Sequence, residues 1–200
     1  MEIIDNFLEL DDFKHLQNTI LGVEFPWNYA TTIIGSKDSS GNKVEYHDYD
    51  FQFVHLFYSG NLWHSDQYQI LGPVLDKLNA VALVRIKANM GVRTPEVISQ
   101  GFHTDIGCMK EDVITGVYYI NSNDGKTIFK SGEEVDSVAN RMVLFRGDEE
   151  HAGTTCTNRK VRCVINFNFI PPKYDENDEP YEHDDILSRL RTSPRKRIIM

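Results

Sequence analysis

The second half of the chain constrains its fold most strongly. From Val81 onward, short apolar-rich runs bounded by turn formers follow one another with no helical periodicity between them. They cover 81–90, 101–104, 113–120, 126–129, 141–145 and 161–169. Successive short strands of this kind imply an antiparallel sandwich or small barrel. The last run alternates most cleanly. Arg162, Val164, Asn166 and Asn168 fall on one face, and Val161, Cys163, Ile165, Phe167 and Phe169 on the other. The apolar face is expected to pack beneath a second layer. The polar face, turned into a barrel, is costly unless a ligand or a hydrogen-bond network satisfies it.

The first half supplies that second layer. A strand is expected over 2–7, followed by a helix over 12–21 capped by Asp11. Phe13, Leu16, Gln17 and Ile20 lie along one side of this helix, and Gly22 ends it. Residues 26–50 are rich in turn formers, and a strand follows over 50–58. Ile70, Leu71, Val74, Leu75 and Leu78 then recur at helical spacing over 66–79, with a kink expected at Pro73. Helices followed by strands imply helices packed on one outer face of a sheet. The expected domain spans 1–170, with helical support over 1–80 and the β core over 81–170. Residues 171–200 form a charged extension, acidic over 175–185 and basic over 189–197, expected to be solvated.

Seven histidines contribute three His-x-Asp pairs: His64/Asp66, His103/Asp105 and His183/Asp185. The third has no histidine after it. The first lies in a polar loop entering a helix, and no arginine follows its candidate distal ligand, His103, until Arg141. Only His103/Asp105 has strands around it, a well-separated second histidine at His151 and a basic residue, Arg162, on the strand beyond. Two imidazoles and one carboxylate form a facial triad suited to Fe(II), with positions left open for other ligands. A buried Arg162 calls for an anion.

On the run 113–120, Thr115, Val117 and Tyr119 share one face, so the Tyr119 hydroxyl is the natural one to share a carboxylate with Arg162. Tyr118, on the other face, reads as a packing aromatic. On 81–90, Arg85, Lys87 and Asn89 alternate with Val84, Ile86, Ala88 and Met90. Facing inward, Asn89 is a candidate to bond the metal-side end of a cosubstrate; facing outward, it is simply solvated.

Several segments match a known family: 85–89 (Arg-Ile-Lys-Ala-Asn), 103–105 (His-Thr-Asp), 116–121, 138–145, 151–155 and 162–169. Over Val84 to Phe169 the chain resembles the prolyl-hydroxylase-like branch of the 2-oxoglutarate/Fe(II) dioxygenases, most closely the small bacteriophage members of cyanophage type. The resemblance implies a double-stranded β-helix (jelly-roll) core with the N-terminal helices on the major sheet. It implies iron on His103, Asp105 and His151, and Arg162, assisted by Tyr119, on the distal carboxylate of 2-oxoglutarate. It further implies O2 consumption with release of succinate and CO2, and ascorbate to keep the iron reduced. The branch's usual tyrosine near the keto-acid end is absent; that region reads Ala88-Asn-Met-Gly91.

A net charge of −9 argues against nucleic acid as the main partner. No apolar run approaches the ~20 residues that span a bilayer. Three cysteines (Cys108, Cys156 and Cys163) without metal-type spacing suit a reducing cytoplasm, the host's if the chain is phage-encoded. The mouth loops, 26–49 (with Trp27, Tyr29 and Tyr46) and 92–102, are expected to choose the substrate. A proline within a protein is the first expectation by analogy, with a free amino acid, a modified base or another small metabolite as alternatives. The rivals are a cupin-like metal-binding protein and a binding module without catalysis on the same fold.

Overall fold

The alternating run at 161–170 becomes a central strand of the large sheet, with helices packed toward one of its faces and the small sheet toward the other. The computed structural model describes residues 1–33, 51–106 and 113–172. Its elements are β1 (Glu2–Ile4), α1 (Leu10–Ile20), β2 (Asn28–Ala30), β3 (Gln52–Ser59), β4 (Leu62–Trp63), α2 (Gly72–Leu78), β5 (Ala82–Val92), β6 (Ile114–Tyr119), β7 (Lys126–Phe129), β8 (Glu134–Asp136), β9 (Arg141–Arg146), β10 (His151–Gly153) and β11 (Val161–Ile170). An eight-stranded antiparallel sheet runs β1-β9-β6-β11-β5-β3-β2, with β4 against β3. A smaller sheet runs β10-β7-β8, and isolated bridges from Ser99 to Thr154 and from His103 to His151 extend it.

Two apolar clusters follow from the period-two alternation of the strands. On one side of the large sheet, Cys163, Ile165, Phe167 and Phe169 of β11 pack with Ile86, Ala88 and Tyr118. Against them lie Phe13, Leu16 and Ile20 of α1 and Val74 and Leu78 of α2. Each fully buried side chain of this size contributes about 1.5–3 kcal/mol. On the other side, Val117, Tyr119, Val143, Phe145 and Val164 meet Phe129 and Val135 from the small sheet. The two sheets thus enclose a second core, and the architecture is the expected double-stranded β-helix with helices on the major sheet.

Local boundaries differ from expectation for identifiable reasons. Helix α1 begins at Leu10 after Glu9, which is extended at the cap, so Asp11 and Asp12 lie in the first turn and Asp11 is not the cap. Acidic groups there favour the positive end of the helix dipole. Pro73 opens α2 instead of kinking it, because its missing N–H is harmless in the first turn. Residues 68–71 form a 3-10 turn ahead of it, and Asn79 in the left-handed region ends it. The strand expected over 2–7 stops at Ile4, before Asn6 at φ 52°. The strand expected over 101–104 reduces to one bridge at His103, because Gly101 at φ +86° turns the chain out of extended geometry.

Asn140, also at positive φ, ties the N-terminal segment to the sheet. Its side chain accepts from the Leu8 N–H (2.9 Å) and the Tyr118 hydroxyl (2.6 Å) and donates to the Leu8 carbonyl (2.8 Å). Tyr118 is therefore a packing residue of the helical side. Cys156 and Cys163 are buried free thiols. Among the described residues no helix is long and apolar enough to cross a membrane. Cys108, Tyr46, His183, Asp185, most of the 26–49 loop and the charged tail lie outside the described residues.

Candidate metal centre and its cavity

The backbone pairing of His103 with His151 builds the centre. The His103 N–H donates to the His151 carbonyl (2.9 Å) and the His151 N–H donates back (3.0 Å), so the two residues stand directly opposite. Directly opposed residues present their side chains on one face, and the two rings lie 4.8 Å apart. Asp105, two residues on, completes a group of three ligand atoms all within 4.8 Å of one another.

Neighbouring groups set the orientation of each ligand. His103 Nδ1 lies 3.2 Å from the Gly101 carbonyl and His151 Nδ1 lies 3.1 Å from the Glu149 carbonyl. A ring that donates through Nδ1 keeps Nε2 as its coordinating atom. The Phe145 ring packs against His151 at 4.7 Å. Burial, then the charge of His151, push the His103 pKa below its ordinary value, which favours the neutral, metal-binding imidazole. Burial alone would raise Asp105, but His151, Arg85, His103 and a hydrogen bond from Asn168 together hold it below the ordinary range, so it is ionised. Arg85 Nη2 donates to its Oδ1 (2.9 Å), and the Asn166 and Asn168 amides donate to Oδ2 (3.2 Å each).

The triad opens on a cavity of about 70 Å³, roomy enough for more than a few waters. Lys87, Asn89, Gln52, Gln100, Asn166 and Arg162 contribute polar groups to its wall. Arg162 is only 7% exposed. Its Nε donates to Ser137 (2.9 Å) and its Nη2 to Thr127 (3.1 Å), and its guanidinium stands over the Tyr119 ring at 5.6 Å. It makes no salt bridge among the described residues. An uncompensated buried cation facing a cavity is unfavourable until an anion joins it.

Of the residues singled out in the sequence, His103, Asp105 and His151 converge, and Asn89 and Arg162 line the same cavity. Tyr119 does not line it. Its hydroxyl donates to Thr127 (2.6 Å), and Thr127 is the hydroxyl on the wall. The inward-or-outward alternative for β5 resolves inward: Lys87 and Asn89 face the cavity and Arg85 faces Asp105. His64 is exposed and bonded to the Ser59 carbonyl, apart from the centre.

The alternation of β5 already carried the signal for Arg85 and Lys87. Thr127 and Gln100 had none, since each reaches the cavity only through tertiary pairing.

Gly125 makes the Arg162 position possible. A Cβ there would lie 2.7 Å from Arg162 Cδ and 2.7 Å from the Thr155 carbonyl oxygen. Gly125→Ala is therefore expected to cost about 1–3 kcal/mol by overpacking and to weaken binding of any anion at Arg162. Thermal melting and ligand titration of this variant check both effects.

No protein-family model matches the chain, and a search of curated proteins finds no match. Solved structures do match in fold. The non-heme alpha ketoglutarate dependent epimerase SnoN from nogalamycin biosynthesis superposes with a TM-score of 0.56 at 9% identity, covering 84% of this chain and 77% of that one. The same epimerase in complex with Fe3+, alpha ketoglutarate and nogalamycin RO gives 0.55 at 9% identity, covering 84% and 78%. A prolyl hydroxylase from Trichoplax adhaerens, in complex with a hypoxia inducible factor peptide fragment, gives 0.52 at 13%, covering 84% and 83%. At these identities the likeness is one of fold.

Proposed function

We propose that the chain is a non-haem Fe(II) and 2-oxoglutarate-dependent oxygenase. The observation that carries this reading is the pairing, within one cavity, of a two-imidazole, one-carboxylate group with a buried arginine that has no salt-bridge partner among the described residues. The donor set fits the metal: both histidines direct Nδ1 to carbonyls, and Asp105 is ionised and oriented by three donors. His103, Asp105 and His151 would hold the iron. Arg162 and Thr127 would take the distal carboxylate, with Tyr119 fixing the Thr127 hydroxyl from behind. Asn89 would face the keto-acid end.

Bound there, iron with 2-oxoglutarate and O2 supplies the power to oxidise a C–H bond, the cosubstrate leaving as succinate and CO2. The chain's own contribution is to orient the ligands, neutralise the diacid and limit access of water through packing such as Phe145 against His151. A prolyl residue in a peptide is the reading for the primary substrate, supported by the shared fold of the peptide-bound hydroxylase.

Purified protein supplied with Fe(II), ascorbate and O2 is expected to convert 2-oxoglutarate slowly to succinate even without its substrate. Conversion should stop on chelation of the metal. Iron bound with no succinate formed favours the cupin-like or non-catalytic reading, and a product scan with candidate peptides tests the prolyl assignment.

A further inference from the structure

The cavity holds a second cation that the reading above leaves without a role. Lys87 lies on β5 between Arg85 and Asn89, on the inward face, and its ammonium makes no ion pair or hydrogen bond among the described residues. The carboxylate beside it, Asp105, is already engaged by Arg85 and by two amides. Asp105 is also the only carboxylate on the cavity wall among the described residues, so neither Lys87 nor Arg162 has an ion-pair partner there. Nor does the neighbouring wall satisfy Lys87: its register partner on β11, Asn166, keeps a buried Oδ1 with no hydrogen-bond partner.

The strand register sets the spacing of the two cations. Arg162 pairs with Gly91, four residues along β5 from Lys87, so their backbone positions are offset by about 13 Å along the strand direction at the usual rise per residue. Both side chains are long and open onto one small cavity. Two like charges facing one small space repel each other, and a monoanion offsets only one of them. A short molecule with a carboxylate at each end offsets both.

We propose that Lys87 is a second anion-holding residue, and that the cavity grips a short aliphatic dicarboxylate by its two ends, between Lys87 and Arg162, without help from a metal. This rests on the oxygenase reading only for the identity of the natural diacid.

Metal-stripped protein titrated calorimetrically with glutarate, which lacks the chelating keto group, and with the monoacid butyrate tests it. Glutarate is expected to bind roughly tenfold tighter or more, the worth of one additional charge-assisted hydrogen bond. Lys87→Met and Arg162→Met should each reduce glutarate to the level of butyrate, whereas Lys87→Arg should keep the preference. Lys87→Gln serves as a second probe if the methionine variant folds poorly, and melting curves check each variant. Equal binding of diacid and monoacid, or full glutarate binding by both the Met and Gln variants, overturns the proposal. Mn(II)-loaded protein titrated with 2-oxoglutarate separates the two readings. Binding there with no diacid preference in the metal-free protein removes only the role of Lys87; no binding in either form removes the oxygenase assignment as well.

Discussion

Arg162→Ala is expected to raise the 2-oxoglutarate concentration needed for half-maximal turnover by about 30-fold to several thousand-fold while leaving metal affinity nearly unchanged. Truncating one partner of a buried, hydrogen-bonded charge pair costs roughly 2–5 kcal/mol, and each 1.4 kcal/mol is about a factor of ten. The side chain is well placed for such a role, because Ser137 and Thr127 hold its Nε and Nη2 and leave the rest of the guanidinium to the cavity. The ligand-free protein should not be weakened in proportion, since the substitution also removes a buried cation that lacks a carboxylate partner among the described residues. Titration of 2-oxoglutarate against turnover, alongside direct measurement of bound metal, decides the matter. Equal loss of metal and cosubstrate would make Arg162 a structural residue.

Asp105→Ala is expected to abolish turnover and to lower metal affinity by more than the roughly 10–100-fold typical of a lost supporting group, because a ligand itself is removed. It should also destabilise the fold. Arg85 would lose its anion, the Asn166 amide its acceptor, and the Asn168 amide one of two acceptors, keeping the Thr115 hydroxyl. Breaking a buried ion pair from one side costs about 3–5 kcal/mol, and the 28% exposure of the Arg85 side chain places this case toward the lower end. Asp105→Asn separates the two effects. It keeps an acceptor oxygen and the side-chain shape, so part of the stability should return, whereas metal affinity should stay low without the negative charge. Thermal melts and metal titrations of both variants give the comparison, and an Asn variant that binds metal normally would remove Asp105 from the ligand set.

The fold and the ligands were legible to different depths. Period-two alternation on β11 and β5 assigned faces correctly, because side chains of an extended chain point to opposite sides whatever they later touch. Of the three His-x-Asp pairs, His103/Asp105 stood out because strands surround it and a second histidine and an arginine follow at suitable separations. Helix ends and the shape of 101–104 differ from the expected ones, since they depend on single backbone conformations such as those of Glu9 and Gly101.

Local chemistry written along the chain was enough to specify alternating strands, an apolar face for two helices, and a set of ligand types. Long-range pairing alone decided which groups meet. It set His103 opposite His151, brought Thr127 between Tyr119 and Arg162, and turned Lys87 into the cavity with no ion pair among the described residues. The reason is physical: a strand's alternation follows from the sterics of its own backbone, but the partner across a sheet, and the side that becomes interior, depend on register with segments tens of residues away.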